Sequence, residues 1–370
     1  MTASEDSHTS GLADRLRARI KRDGPIPFSE WMEAALYDPV AGYYSRDRKP
    51  QGRAGDYRTA PEISPLFGAV FAQYFMKSYF DFGAPDEMTI FEVGAGAGDC
   101  AHAVLTELQR EFPKVFSATR YLIDEVNPAA RSQSLSKLAP FKDTIQFRAL
   151  GEVEQPVRHA IIFSNELLDA FPVHRVIGRH DKLHELYVGL SDDGNFIWVE
   201  AGPSREVAEY CARIQLELRD NQVFEVNLAA EQFIARAAAA IVDGLVITVD
   251  YGGDREELLN DPNRFGGTLR GFHRHRFVDD LLTHPGEHDL TTSVDWTQLE
   301  TKGAQLGLET LRLQRLDQFL LIEGATEAFG DVTRRMADPV EFLNFNAAAR
   351  ELLLPTGMAA HFQVLVQRKR

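Results

Sequence analysis

The segment Phe91-Glu92-Val93-Gly94-Ala95-Gly96-Ala97-Gly98 closes a short apolar run and precedes a stretch with helical spacing. Glycines at such a junction permit a tight turn and let bare backbone approach a ligand. No Gly-Lys-Ser/Thr follows, which excludes a phosphate loop of the Walker type. A dinucleotide site wants a small residue at the third glycine position and an acid about 20 residues later. Here the third position is Asp99, and the acid ending the next apolar run is Glu125, 31 residues beyond Gly94. A carboxylate at that strand end suits the ribose diol of any nucleoside ligand. The alternative is a solvated strand-end charge, and for neighbouring Asp124 the two readings are balanced.

A second cluster is Ser164-Asn165-Glu166-Leu167-Leu168-Asp169-Ala170-Phe171-Pro172, after the run IIF. Ligands of open α/β sheets sit at the carboxyl ends of strands. Glu166 and Asp169 are three apart, so one helical turn would put both on one face. Two carboxylates held together beside Phe-Pro would raise at least one pKa. A solvated first helical turn would also explain them. Paired carboxylates grip a guanidinium bidentately, offset its charge and accept its departing proton. The pair therefore fits a cationic substrate better than an acidic one.

Further candidates are sparser. Asp250 ends the apolar run GLVITVD beside Tyr251-Gly252-Gly253, at the ligand edge of a sheet, where it is placed to bind substrate. Thr59, Pro61, Glu62 and Ser64 form a rigid polar stretch before a helix, placed to cover a cofactor or contact a substrate. Asp295 and Ser293 read as helix caps. His273 and His275 alternate with arginines, but no ligand cluster with metal spacing accompanies them, so no metal site is expected. Cys100 reads as a small buried hydrophobe.

The elements that must position these groups follow from periodicity. Short apolar runs at 88–93, 120–126, 145–149, 159–164 and 244–250 alternate with helical stretches at 99–111, 128–138 and 228–242, which is the βαβ signature of a parallel sheet. Ahead of them, helices are expected at 11–22 (stripe Leu12, Leu16, Ile20), at 28–37 with Ser29 as a possible cap, and at 65–82. Residues 38–60 read as a long aromatic loop. Residues 173–200 read as hairpin material turning at Asp193-Gly194. A helix is expected at 204–218, low periodicity at 254–290, a helix at 295–303, a strand at 305–313, short helices over 315–354 and a last strand in AAHFQVLVQ. The domain reading is a helical N-terminal extension, 1–87, contributing to the active-site cover. A core follows over 88–370, with insertions at about 173–227 and 254–294.

Composition bounds the function. The 370 residues are 44% hydrophobic, enough for a sizeable core. Lys and Arg number 40 against 55 Asp and Glu, and a formal charge of -15 opposes approach to nucleic acid or anionic membrane. Two cysteines, Cys100 and Cys211, give no disulfide framework and fit a reducing compartment. The most apolar stretch, Ile234 to Val249, is broken by Arg236 and Asp243, so stable membrane insertion is not expected. The polar, acidic start resembles no secretory signal. A cytoplasmic location is expected for a bacterial-type chain, or the mitochondrial matrix if eukaryotic, although no transit peptide is evident.

EVGAGAG resembles motif I of the class I S-adenosylmethionine-dependent methyltransferases. That resemblance implies a Rossmann-like α/β fold with a seven-stranded, mostly parallel sheet. It implies cofactor contacts at Gly94, Gly96 and Gly98, with Glu92 heading the motif, and a ribose contact at Glu125. By alignment of elements, the adenine position falls near Ala149, Leu150 and Gly151, with Glu152 as partner. A wider set of segments, GPIPFSEWMEAALYDPVAGYYS, GDYRTAPEISPLFG, FEVGAGAGD, YLIDEVNP, SNELLDAFPV, VDYGG, GTLRG and HDLTTSVDW, is similar to the MidA-like methyltransferases. That family includes the mitochondrial arginine methyltransferase that assists assembly of respiratory complex I. Its pattern commonly has Gln where Pro65 stands and Ser where Asn127 stands.

The resemblance implies S-adenosyl-L-methionine as methyl donor and protein arginine as acceptor, with a complex I subunit as natural target. Asn165 joins the cofactor set; Glu166, Asp169, Glu62 and Asp250 form the catalytic set. A homodimer is compatible with it. Other readings are a methyltransferase for a small molecule or another protein residue, a cofactor-binding assembly chaperone with little turnover, and a nucleotide-dependent oxidoreductase.

Overall fold

A computed structural model describes residues 11–45, 60, 64–273 and 276–370. The chain divides into two compact units. One gathers Met1–Pro50, Phe171–Leu228 and Leu259–Thr292; the other gathers Gln51–Ala170, Ala229–Leu258 and Ser293–Arg370.

The larger unit carries the expected sheet. Its long strands are β1 (Met88–Val93), β2 (Thr119–Asp124), β3 (Ile145–Phe147), β4 (Val157–Asn165), β5 (Ile241–Gly253), β6 (Glu309–Arg315) and β7 (Phe362–Lys369). They lie in the order β3-β2-β1-β4-β5-β7-β6. All neighbours from β3 through β5 are parallel, and β7 runs antiparallel to both β5 and β6. The two-residue strand Val294–Asp295 adds an eighth member beside the end of β5. Central parallel strands are covered on both faces, which is why 88–93 and 159–164 read as continuous apolar runs rather than alternating ones.

The strand order reverses between β1 and β4, the crevice where doubly wound sheets bind ligands. Register makes that crevice specific. Asp124, Val93, Ser164 and Thr248 form one row across the sheet. The next row holds Glu125 and Gly94, which leave the sheet, beside Asn165 and Val249, which still pair, so the four positions lie together at one edge.

The core under this edge is aromatic. Helix Pro65–Asp81 presents Phe67, Phe71 and Phe75 to Phe163 of β4, with ring centroids 6.5, 4.9 and 5.8 Å away. Phe71 also stacks on Phe319 at 5.4 Å. Each such side chain contributes roughly 1.5–3 kcal/mol by leaving water. Cys100 is buried in the same cluster, as its context suggests.

The smaller unit holds a five-stranded antiparallel sheet built from Ile26–Pro27, His174–Arg179, Lys182–Leu190, Phe196–Ala201 and Val223–Val226. The Asp193-Gly194 turn is present, with Gly194 at φ 78°. Helices Leu12–Asp23 and Phe28–Tyr37 form as spaced, and the stripe Leu12, Leu16, Ile20 is buried.

Several local expectations need correction. Ser29 is no cap, because Pro27 occupies the N-cap position and the Ser29 hydroxyl lies 3.4 Å from His174 Nδ1. The helix expected over 204–218 is Arg205–Arg213, since Gln215 adopts φ 53° and the Leu216 N–H turns back to the Cys211 carbonyl. Strand Val223–Val226 is too short for its periodicity to register. The aperiodic stretch 254–290 holds helix Arg255–Asn260 and strands of two to four residues, Arg270–His273, Arg276–Phe277 and Asp289–Thr291. Among the described residues, no helix is long and apolar enough to cross a membrane.

Candidate active site

The site lies at the carboxyl edge of β1, β2, β4 and β5, all within the larger unit. After β1 the chain turns through Gly94, Gly96 and Gly98 with φ of 75°, 54° and 80°. The Gly94 N–H donates to the Asp124 carbonyl at 2.8 Å, tying the loop to the end of β2. Gly98 answers a packing demand. A Cβ there would stand 2.6 Å from Ser134 Oγ, so its bareness brings helix Asp99–Glu111 against helix Pro128–Lys137.

Glu125 closes over this loop. One carboxylate oxygen accepts the Gly96 N–H at 2.7 Å and the other accepts the Asn127 N–H at 2.7 Å. Burial pushes its pKa up, against the amides that favour the ionised form. A carboxylate has about four acceptor positions, so both oxygens retain lone pairs for hydroxyl donors. Asn127 caps the following helix through the Ala129 and Ala130 N–H groups. That capping holds the Glu125–Asn127 turn in place.

Two neighbouring acids have other tasks. Asp124 accepts the Leu150 N–H at 2.8 Å, anchoring the loop after β3. The sequence left Asp124 ambiguous; its role is visible only once β3 is placed beside β2. Glu152 is exposed and folds back on the Ala149 N–H at 3.3 Å. Below the loop, buried Glu92 accepts the Tyr121 hydroxyl at 2.7 Å. Burial raises Glu92 to about 7; the Tyr121 hydrogen bond opposes the rise, and the Glu125 and Asp99 charges add to it. Tyr121 carried no signal of its own in the sequence beyond an apolar strand position.

The loop after β4 departs from expectation. Residues 166–169 form no helical turn. Glu166 sits at φ 50°, a left-handed conformation that a non-glycine residue rarely adopts. Its N–H donates to the Val249 carbonyl at 2.9 Å. Its carboxylate accepts the Asn165 side-chain amide at 3.1 Å and the Ala60 N–H at 3.2 Å. Asp169 is buried, and its N–H points to Asp250. Asp250 is fully buried and does not stand at the surface of the site. Its Oδ2 accepts the Leu168 and Asp169 N–H groups at 3.0 and 3.3 Å, and its Oδ1 accepts the Tyr251 N–H at 2.9 Å. Burial, then the nearby Asp169 charge, holds its pKa well above the usual carboxylate range.

Asn165 is informative for a ligand. Its amide nitrogen must face the Glu166 carboxylate, which only accepts, so Oδ1 faces the other way. That oxygen is buried and has no partner among the described residues. A buried acceptor left so costs about 1–3 kcal/mol, which an incoming N–H or O–H donor would recover. Together with the lone pairs on Glu125 and the bare glycine turn, it fits a nucleoside that also carries an amino-acid head, as S-adenosyl-L-methionine does. Glu62, Thr59, Pro61 and His275 lie outside the described residues. Ala60 is described, and its N–H donates to the Glu166 carboxylate at 3.2 Å. Asp295 caps helix Trp296–Gln305 and pairs with Arg255 at 2.8 Å, so capping accounts for it.

Comparison with known proteins points to the same cofactor. A family described as "Putative S-adenosyl-L-methionine-dependent methyltransferase" matches residues 70–314. The mitochondrial protein arginine methyltransferase NDUFAF7 homolog of Drosophila melanogaster is 28% identical over 359 residues, covering 86% of this chain and 78% of its own length. The Homo sapiens protein arginine methyltransferase NDUFAF7, mitochondrial, is 27% identical over 329 residues, covering 79% and 69%. A Burkholderia thailandensis protein crystallised with S-adenosyl-homocysteine superposes with a TM-score of 0.85 at 28% identity, over 97% of this chain and 92% of that one.

Proposed function

The chain belongs to this family of S-adenosyl-L-methionine-dependent methyltransferases, and from that premise we propose that it methylates a guanidinium nitrogen of arginine in a protein, with a subunit of respiratory complex I as acceptor. The observation that carries the reading is that Glu166 and Asp169 share the short loop at the carboxyl end of β4, which Val249 and Asp250 hold in place through the Glu166, Leu168 and Asp169 N–H groups. The names of the similar Drosophila and human proteins support arginine as the acceptor residue.

When bound, S-adenosyl-L-methionine supplies a methyl group activated by a sulfonium. Gly96, Glu125 and Asn165 are the residues that would hold it. The acceptor is the harder partner, because a guanidinium with pKa above about 12 has no free lone pair aimed at carbon. Two carboxylates offset its charge, fix its plane by bidentate hydrogen bonds and turn one nitrogen toward the methyl carbon. As the N–C bond forms and the S–C bond breaks, the nitrogen loses a proton, and the acidic pair is there to take it.

The test uses a lysate from cells lacking the protein, to which purified protein and a methyl donor carrying a radioactive methyl group are added. Label in a protein band that yields methylarginine on hydrolysis supports the reading. Label only in small molecules, or in another amino acid, overturns it.

A further inference from the structure

We infer that Asp250 is a positioning residue that builds the acceptor-binding turn from beneath, not a group that touches substrate; this rests on the reading of Glu166 and Asp169 as the acceptor-binding pair. The turn at 166–169 leaves the sheet with four backbone N–H groups to satisfy and forms no helix of its own. Val249 and Asp250 of β5 take three of them. The Val249 carbonyl accepts from Glu166, and the Asp250 carboxylate accepts from both Leu168 and Asp169. The other Asp250 oxygen accepts from Tyr251, the next residue of its own strand. Both oxygens are therefore engaged inward, and the residue exposes 0% of its surface.

The consequence for chemistry lies in Glu166. Its left-handed backbone at φ 50° is unfavourable for a side chain with a Cβ, and persists only where surroundings over-determine it. Those surroundings include the Val249 carbonyl, the Asn165 amide and the Ala60 N–H on Glu166 itself, and Asp250 on the two residues that close the turn. Without the Asp250 carboxylate, two buried N–H groups lose their acceptor and the turn is free to relax. Glu166 and Asp169 would then no longer present a fixed pair; the donor side would feel the change only second-hand, through Leu167, which packs on Gly94, and through the Asn165 amide on Glu166. Asp250 thus acts first on acceptor alignment, and on donor binding only by way of the turn it supports.

The experiment has two arms on the full chain. In the wild type, amide hydrogen exchange should show Leu168, Asp169 and Tyr251 protected at least a hundredfold over exposed turn amides. Exchange at the rate of an exposed turn overturns the proposal without any variant. In Asp250→Asn, whose amide group cannot accept at every position the carboxylate serves, exchange at 166–170 should speed at least tenfold. The dissociation constant for S-adenosyl-homocysteine should rise less than tenfold, whereas kcat for the methyl acceptor should fall at least a hundredfold with a smaller change in KM. A rise in KM alone, with kcat and loop exchange unchanged, would mark Asp250 as a substrate ligand and overturn the proposal. Failure of the wild type to make methylarginine would remove the arginine reading, yet the exchange arm would still decide the role of Asp250 in the turn.

Discussion

Glu125 holds the Gly96 N–H at 2.7 Å, so the carboxylate that follows β2 also shapes the loop that follows β1. Its replacement should do double damage. Glu125→Ala removes the acceptor for ribose hydroxyls and leaves the Gly96 and Asn127 amides unpaired. Charge-assisted hydrogen bonds contribute about 1.5–3 kcal/mol each, so S-adenosyl-homocysteine should bind roughly 10–100-fold more weakly. Isothermal calorimetry measures this directly. An unchanged dissociation constant would remove Glu125 from the ribose role.

Glu92 makes stability depend on pH. Its folded pKa is raised to about 7 from an ordinary value of 4.5, so the native state holds a proton that the unfolded chain has released. Stability from this group is fully present below about 4.5 and is lost as pH rises through about 7. The swing is on the order of 3 kcal/mol. Urea unfolding of wild type and Glu92→Gln across pH 4.5 to 8 should show the wild-type curve falling relative to the variant inside that window. Parallel curves would mean that Glu92 titrates normally.

Much of this arrangement was legible before any coordinates. The strands of the central sheet announce themselves because burial on both faces makes 88–93 and 159–164 continuously apolar. The glycine loop and Glu125 follow from a strand-to-helix junction and a strand end. What stayed hidden depends on partners distant in the chain. The shape of residues 166–169 is set by Asp250, more than 80 positions later, and local spacing alone suggested a helical turn. The same holds for Asp124, whose partner Leu150 lies beyond an entire helix. The smaller unit assembles from three separate stretches, and its strands of two to four residues offer no period to read.

Asp169→Asn keeps the shape of the turn and removes a charge. Donor binding should be unaffected, whereas turnover should fall by about 10²–10⁴, the usual contribution of a positioned proton acceptor. The comparison is single-turnover methyl transfer at saturating donor, set beside calorimetry with S-adenosyl-homocysteine. Equal losses in both measurements would indicate a distorted site rather than lost proton handling.

Gly98 separates a packing requirement from a ligand requirement. Gly98→Ala places a Cβ 2.6 Å from Ser134 Oγ, on a backbone at φ 80°. The left-handed strain costs about 1–2 kcal/mol and the overpacking about 1–3 kcal/mol. In a Ser134→Ala background the second part should shrink while the first persists. A double-mutant cycle on unfolding free energies reads the difference. Strict additivity would deny that the two helices meet at these residues.

The smaller unit has its own buried ion pair to test. Arg175 Nε donates to Glu225 at 3.1 Å, with both side chains at 10% exposure or less. The other Glu225 oxygen accepts the Thr268 N–H at 2.7 Å and the Thr268 hydroxyl at 3.0 Å. Arg175 Nη2 donates to the Gly266 carbonyl at 2.8 Å and its guanidinium lies 4.9 Å from the centre of the Trp198 ring. The pair thereby fastens the GTLRG segment to strands His174–Arg179 and Val223–Val226. Glu225→Gln turns an amide donor toward either the guanidinium or Thr268, and either choice sets donor against donor. Removing one partner of a buried pair costs about 3–5 kcal/mol, most of it from the charge left behind. Arg175→Met with Glu225→Leu removes both charges and should recover a large part of that loss. If the double variant is no more stable than Glu225→Gln, packing of the long Arg175 stem against Trp198, not the ion pair, is what holds this loop.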